Sequence, residues 1–125
     1  MNYLLPYLGE QAIMELMSRA DNNVQILALS GRFDTHTAEP VRDWLEQATV
    51  TQPANIVINL SNVDFLDSTA LSTLVHGMKH SREKNGDLRI CGMQPPVRII
   101  FELTRLDRVF EIYPAEEEAV QAFAH

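Results

Sequence analysis

The chain has 125 residues, 46% of them apolar, with a formal charge of −7, which suits one compact domain with a sizeable core and is too short for two. The negative balance repels phosphate backbones and anionic lipid, so nucleic acid and membrane surfaces are poor partners for the bare domain and a basic or mixed-charge protein is favoured. No stretch approaches the roughly 20 apolar residues of a membrane span, and the N-terminus lacks the basic flank of a secretory signal, so the expectation is a soluble, cytoplasmic protein.

Residues 1–9, "MNYLLPYLG", are apolar without a clean period, and Pro6 disfavours a long helix. Residues 1–11 are therefore read as an N-terminal arm, either loose or an edge contact, with the domain proper at 12–125. In "AIMELMSRA" Ala12, Met14 and Leu16 fall on one side and Glu15 opposite, "DNN" turns, and "VQILALSG" is rich in β-formers. An antiparallel hairpin opens the domain. Gly31 closes it, and "RFDTHTAEP" leads into a helix in which Ala38, Val41, Leu45 and Ala48 recur at helical spacing and Pro40 fits only the first turn. Trp44, beside Val41 and Leu45, is expected to cover the sheet.

"NIVINLS" at 55–61 is a nearly continuous apolar run, which predicts a strand covered on both faces at the sheet centre. From Ser68, the residues Leu71, Leu74, Val75 and Met78 follow the i, i+3, i+4, i+7 rule, and the basic residues Lys79, Arg82 and Lys84 crowd the far end before "NG", so a helix is predicted over 68–84. "DLRICG" predicts another strand, "PPVRIIFELTRL" a helix begun by prolines, "VFEIY" a last strand and "AEEEAVQAFA" a closing helix with its acids in the favourable first turn. The alternation implies a single α/β domain, its sheet mixed but mostly parallel, with the opening antiparallel hairpin and about four helices. Cys91 is the only cysteine, which rules out an internal disulfide or a thiolate metal cage; its apolar neighbours in "LRICG" make it a small buried hydrophobe.

The chemistry concentrates in "DFLDSTALSTLV", residues 64–75, where Ser68 stands at a strand-to-helix junction. A serine there can cap the helix, stabilising it by about 1 kcal/mol. The same unpaired amides and the positive end of the macrodipole also tolerate an anion, so a phosphate on Ser68 would add about −1.5 to −2 charges beside Asp64 and Asp67 without disturbing the helix. A nucleophilic serine is the third reading; it lacks the glycines of a nucleophile elbow. His76 and His80 lie about 12 Å and 18 Å along the axis, which leaves only His36, in the loop after the second strand, as a base. His76 and His80 are spaced i, i+4 as a metal pair would be, but no third ligand is evident, and a solvated polar face accounts for them. Asp64 and Asp67 are explained by capping before acid–base work. The glycines are scattered singly, without a phosphate-cradling loop or a dinucleotide fingerprint.

Taken together, "LSGRFDTHTAEPVRDWL", "NIVINLSNVDFLDSTALSTLV" and "GDLRICGMQPPVRIIFELTRLDRVFEIYPAEEEAV" resemble a STAS domain of the bacterial anti-sigma-factor-antagonist family, over residues 12–123 in unbroken order. The resemblance implies a small α/β domain that has no chemistry and no cofactor of its own, binds an anti-sigma factor with serine kinase activity, and is dephosphorylated by a PP2C-type phosphatase. The family's Asp-Ser-Ser-Gly-Leu corresponds here to Asp67-Ser68-Thr69-Ala70-Leu71, which makes Ser68 the phosphoacceptor. Gly31, Arg32 and Asp34 match a Gly-Arg-Leu-Asp stretch bordering the docking surface, and Asn59, Leu60 and Ser61 stand where Asp-Leu-Ser is common. Ala70 departs from a glycine and Ser72 from a small residue, often glycine. The implied partner-binding patch is Asp34, Asp64, Asp67, Ser68, Thr69 and Leu71, released when Ser68 is phosphorylated. A constitutive scaffold or transporter-associated subunit, a nucleotide binder and a weak homodimer are the remaining expectations.

Overall fold

The structure of the protein, a computed structural model, describes residues 2–5 and 14–123. The expected arm therefore enters only through residues 2–5, and Ala12 lies outside the described residues. Strands β2 (Met14–Asp21) and β3 (Val24–Phe33) form the expected hairpin, with Asp21 opposite Val24. Its two-residue loop needs positive φ at both positions, and asparagine tolerates that: φ is 51° at Asn22 and 66° at Asn23. Strand β1 (Asn2–Leu5) adds antiparallel to β2 at the sheet edge.

Strands β4 (Asn55–Leu66), β5 (Asp87–Cys91) and β6 (Ile112–Tyr113) follow, each parallel to the one before, in the spatial order β1-β2-β3-β4-β5-β6. The crossovers are α1 (Ala38–Ala48), α2 (Ser68–Glu83) and α3 (Pro95–Leu103). All three step the same way along the sheet, so right-handed connections set them on one face. Accordingly Val41 and Leu45, Leu74 and Met78, Val97 and Phe101 share one core with Leu27, Leu29, Ile56, Ile58 and Leu60. On the other face α4 (Glu116–Gln121) lays Ala119 and Val120 over Val24, Ile26, Val57 and Cys91. The apolar run in β4 is thus buried on both sides, each Ile or Leu contributing about 2 kcal/mol. Gly77 matters to the helix layer: a Cβ there would lie 2.8 Å from Leu45 Cδ1, so its absence lets α1 and α2 approach. Trp44 is half-buried against the core and donates its indole N–H to Ser18 Oγ at 2.9 Å, fastening α1 to β2.

Four elements differ in their bounds from the sequence reading. Strand β4 runs on to Leu66: Asn62, Val63 and Asp64 alternate exposed, buried, exposed, and the register shift past Asp64 lets Leu66 be buried as well, a pattern hidden in the polar look of "SNVD". Helix α3 stops at Leu103; a turn through Arg105 and a 3₁₀ segment at Leu106–Arg108 bring Phe110 edge-on to Phe101, ring centroids 5.8 Å apart. Phe110 is therefore spent on the core, and the predicted strand "VFEIY" shrinks to Ile112–Tyr113. The closing helix is also shorter than "AEEEAVQAFA", ending at Gln121. Cys91 is fully buried, and burial together with the charge of Glu116 pushes its thiol up to about 12, which keeps it protonated.

Candidate functional site

The site is built where β3 and β4 outrun the rest of the sheet. Their pairing shifts register between Ala28 and Ser30 and again between Gly31 and Arg32, and Gly31 has φ of 119°, a conformation that suits only glycine. Beyond those irregularities Arg32 pairs with Phe65 and Phe33 with Leu66. The loop after β3 and the turn after β4 therefore leave the sheet side by side. Arg32 stacks its guanidinium over the Phe65 ring at 3.9 Å and reaches Asp34 Oδ2 at 3.5 Å. Asp34 is only 8% exposed; its Oδ1 accepts the His36 N–H at 2.9 Å, so its carboxylate shapes the loop from within.

Asp67 joins this loop to α2. As N-cap residue it accepts the Ala70 N–H on Oδ1 at 3.0 Å, and on Oδ2 it accepts both the N–H and the hydroxyl of Thr35, each at 3.0 Å. The hydroxyls of Thr35 and Thr69 lie 3.0 Å apart and close the circuit. Partial burial of Asp67 acts to raise its pKa, but the amides of Ala70, Thr35 and Thr69 and the Thr35 hydroxyl outweigh it and hold the carboxyl below its ordinary value. Of the capping readings given to Ser68, Asp64 and Asp67, the structure bears out Asp67 and corrects the other two: only the Asp67 carboxylate reaches the third amide of the helix, and Asp64 lies within β4. Ser68 is the first helical residue, exposed, and its hydroxyl makes no hydrogen bond among the described residues. Thr35 is the member that sequence reasoning missed. Its signal was present in "FDTHTAEP", since hydroxyls between a strand and a helix characteristically bond to nearby loop and cap groups.

Of the remaining expected patch residues, Asp64 is exposed on β4, Thr69 is half-buried in the Asp67 circuit, and Leu71 is half-buried against the core. Ala70, the departure from glycine, is fully buried, so its methyl faces the interior and leaves the surface around Ser68 unaltered. Ser72 is exposed one helical turn further on. His76 and His80 lie edge to face, ring centroids 4.7 Å apart, along a groove between α1 and α2 that Arg42 and Glu46 also line.

Across the sheet stands a second carboxylate with several partners. Glu116, at the start of α4, accepts from Asn59 Nδ2 at 2.9 Å and pairs with Arg19, which hold its pKa below the ordinary value against the opposing effect of burial. The run "EEEA" is thus more than a dipole-matched first turn, because Glu116 ties α4 to β2 and β4.

The sequence profile of the STAS domain matches residues 15–119, which includes both carboxylate clusters and all the strands from β2 to β6. The chain belongs to the STAS domain family. Among the STAS relatives, an anti-sigma F factor antagonist from Paenibacillus polymyxa is 33% identical over 98 residues, covering 78% of this chain and 84% of the relative. An anti-sigma-B factor antagonist from Listeria monocytogenes is 30% identical over 105 residues, 84% and 91% of the two chains. In three dimensions the STAS domain is similar to the crystal structure of an anti-sigma factor antagonist from Mycobacterium paratuberculosis, with a TM-score of 0.81, 26% identity, and coverage of 90% and 95%. No helix among the described residues is long and apolar enough to cross a membrane.

Proposed function

We propose that this STAS domain is an anti-sigma-factor antagonist, a binding module whose docking to an anti-sigma serine kinase is switched off by phosphorylation of Ser68. The observation that carries the reading is the division of labour at the start of α2: Asp67 performs the capping, which leaves the neighbouring Ser68 hydroxyl exposed and without a structural task. In the unmodified state the partner meets Ser68 and Asp64 at the surface, with the Thr35–Asp67–Thr69 circuit fixing the loop beside them. The kinase transfers the γ-phosphoryl group of ATP to Ser68 Oγ, the serine proton leaves, and ADP is released. The new dianion joins two carboxylates, and charge and bulk expel the partner. The fold is spared, because the helix start favours negative charge and Ser68 holds nothing else in place. A PP2C-type phosphatase restores the hydroxyl, and the cycle runs in the cytoplasm.

The test is incubation with ATP and an anti-sigma-type serine kinase from the same organism, followed by mass-spectrometric mapping. Phosphate on Ser68 that disappears in Ser68→Ala supports the reading. Phosphate confined to Thr69, or no incorporation, contradicts it and favours a constitutive STAS scaffold.

A further inference from the structure

Two hydroxyls stand side by side at the start of α2, on Ser68 and Thr69, and they differ in how their protons are held. Ser68 is exposed and its hydroxyl makes no hydrogen bond among the described residues, whereas Thr69 is half-buried with its Oγ1 3.0 Å from the Oγ1 of Thr35. The proton between the two threonines belongs to Thr69, and Asp67 decides this. The Asp67 carboxyl accepts the amides of Ala70 and Thr35 and is held below its ordinary value of 3.8, so at neutral pH it is ionised and can only accept. The Thr35 hydroxyl, 3.0 Å from Asp67 Oδ2, therefore directs its proton there; the opposite orientation would set the lone pairs of a hydroxyl against those of a carboxylate with no proton between them. A hydroxyl has a single proton to give. The contact between the threonines is thus made by the Thr69 proton, in a directed chain from Thr69 Oγ1 to Thr35 Oγ1 to Asp67 Oδ2 that the terminal charge polarises throughout.

We propose that Thr35 is a specificity-determining residue, which keeps phosphorylation on Ser68 by holding the proton of the neighbouring Thr69 hydroxyl. The inference rests on the reading of Ser68 as the phosphoacceptor and adds the reason that its neighbour is spared. Transfer to a hydroxyl forms a P–Oγ bond, breaks the bond from the γ-phosphorus to the bridging oxygen of ATP, releases ADP, and passes the hydroxyl proton to a base of the kinase. The Ser68 proton is free to go. The Thr69 proton must first leave Thr35, and its oxygen must turn out of a half-buried position, which slows that route by roughly tenfold. Thr35 spares itself in the same way, since its own proton is committed to Asp67. Its side chain is exposed, so replacing it removes no core packing.

The test measures initial rates of phosphate incorporation, site by site and by mass spectrometry, with ATP and an anti-sigma-type serine kinase from the same organism. Position 69 is read in the double variant Ser68→Ala, Thr69→Ser, so that a kinase preference for serine over threonine plays no part. With Thr35 in place, incorporation at position 69 is expected to be slow. Adding Thr35→Val, which keeps the shape and the amide bond to Asp67 and drops the hydroxyl, should raise it roughly tenfold. Thr35→Ser, which keeps the hydroxyl and drops the methyl, should return it to the slow rate. A loop that needed only the bulk of Thr35 would give the opposite order. A rate at position 69 that Thr35→Val leaves unchanged, that Thr35→Ser raises as much, or that already equals the rate at Ser68 of the unaltered chain while Thr35 is intact, overturns this inference alone and leaves Ser68 as the phosphoacceptor. Absence of phosphate from Ser68 in the unaltered chain overturns both.

Discussion

Asp67 and Glu116 stand at the starts of two helices on opposite faces of one sheet, and each binds groups from other elements. Both carboxyls are held below their ordinary pKa. What differs is the company they keep. Glu116 meets a cation, Arg19, and an amide, and the thiol its charge reaches, Cys91, is buried and kept protonated. Asp67 meets only amides and hydroxyls, keeps its full negative charge at the surface layer, and sits next to an exposed serine. The first arrangement is a fastening; the second is a fastening that also presents a group to a visitor. A lowered carboxylate pKa is common to both, so it does not mark function here; the idle hydroxyl next to Asp67 does.

The difference is sharpened most by Ser68→Asp, which should weaken binding of the anti-sigma kinase roughly thirtyfold, about 2 kcal/mol, while the melting temperature stays within about two degrees. Calorimetric titration and a thermal melt read the two quantities separately. Next in size is Asp67→Ala, which removes the cap and both bonds to Thr35; a loss of about 1–2 kcal/mol and roughly 4–8 °C in Tm is expected by chemical and thermal denaturation. Asp67→Asn, which can still cap α2, should lose clearly less. Glu116→Gln keeps an acceptor for Asn59 and forfeits only a pair whose arginine is about half exposed, so its cost should stay within about 1 kcal/mol. If Glu116→Gln proves more damaging than Asp67→Ala, the ranking of the two clusters is reversed.

The smallest expected effect is on pH. Ordinary values are 3.8 for Asp67 and 4.5 for Glu116, and both are lowered on folding. Each therefore contributes stability that is fully present above its ordinary value and is lost as pH falls through the lower, folded one. Denaturant midpoints measured from pH 6 downward should fall less steeply below about pH 4 in Asp67→Asn than in the unaltered chain.

Much of this architecture was legible because period and position agree. The apolar run at 55–61, the helical spacing from Ala38 and from Leu71, and the asparagine pair between β2 and β3 each had one structural solution. Ser68 at the junction was legible for the same reason. Its role as cap was misjudged because two adjacent residues, Asp67 and Ser68, both have capping side chains, and only the backbone at the end of β4 decides which of them precedes the first helical turn. The Thr35 hydroxyl was legible as a loop or cap group, but its pairing with Asp67 and the Glu116 cluster were out of reach. Thr35 meets Asp67 across 32 positions and Glu116 meets Asn59 across 57, through register shifts and an α4 placement that no local pattern encodes. The early end of α3 was hidden likewise, since Phe110 leaves the strand pattern only to reach Phe101.

The most direct test is the affinity of the anti-sigma kinase for two forms of the chain, one unmodified and one carrying phosphoserine installed at position 68 during synthesis. Binding at least tenfold weaker for the phosphorylated form, with an unchanged melting temperature, is the predicted result. Equal affinity, or a phosphorylated chain that has lost its fold, would contradict the account.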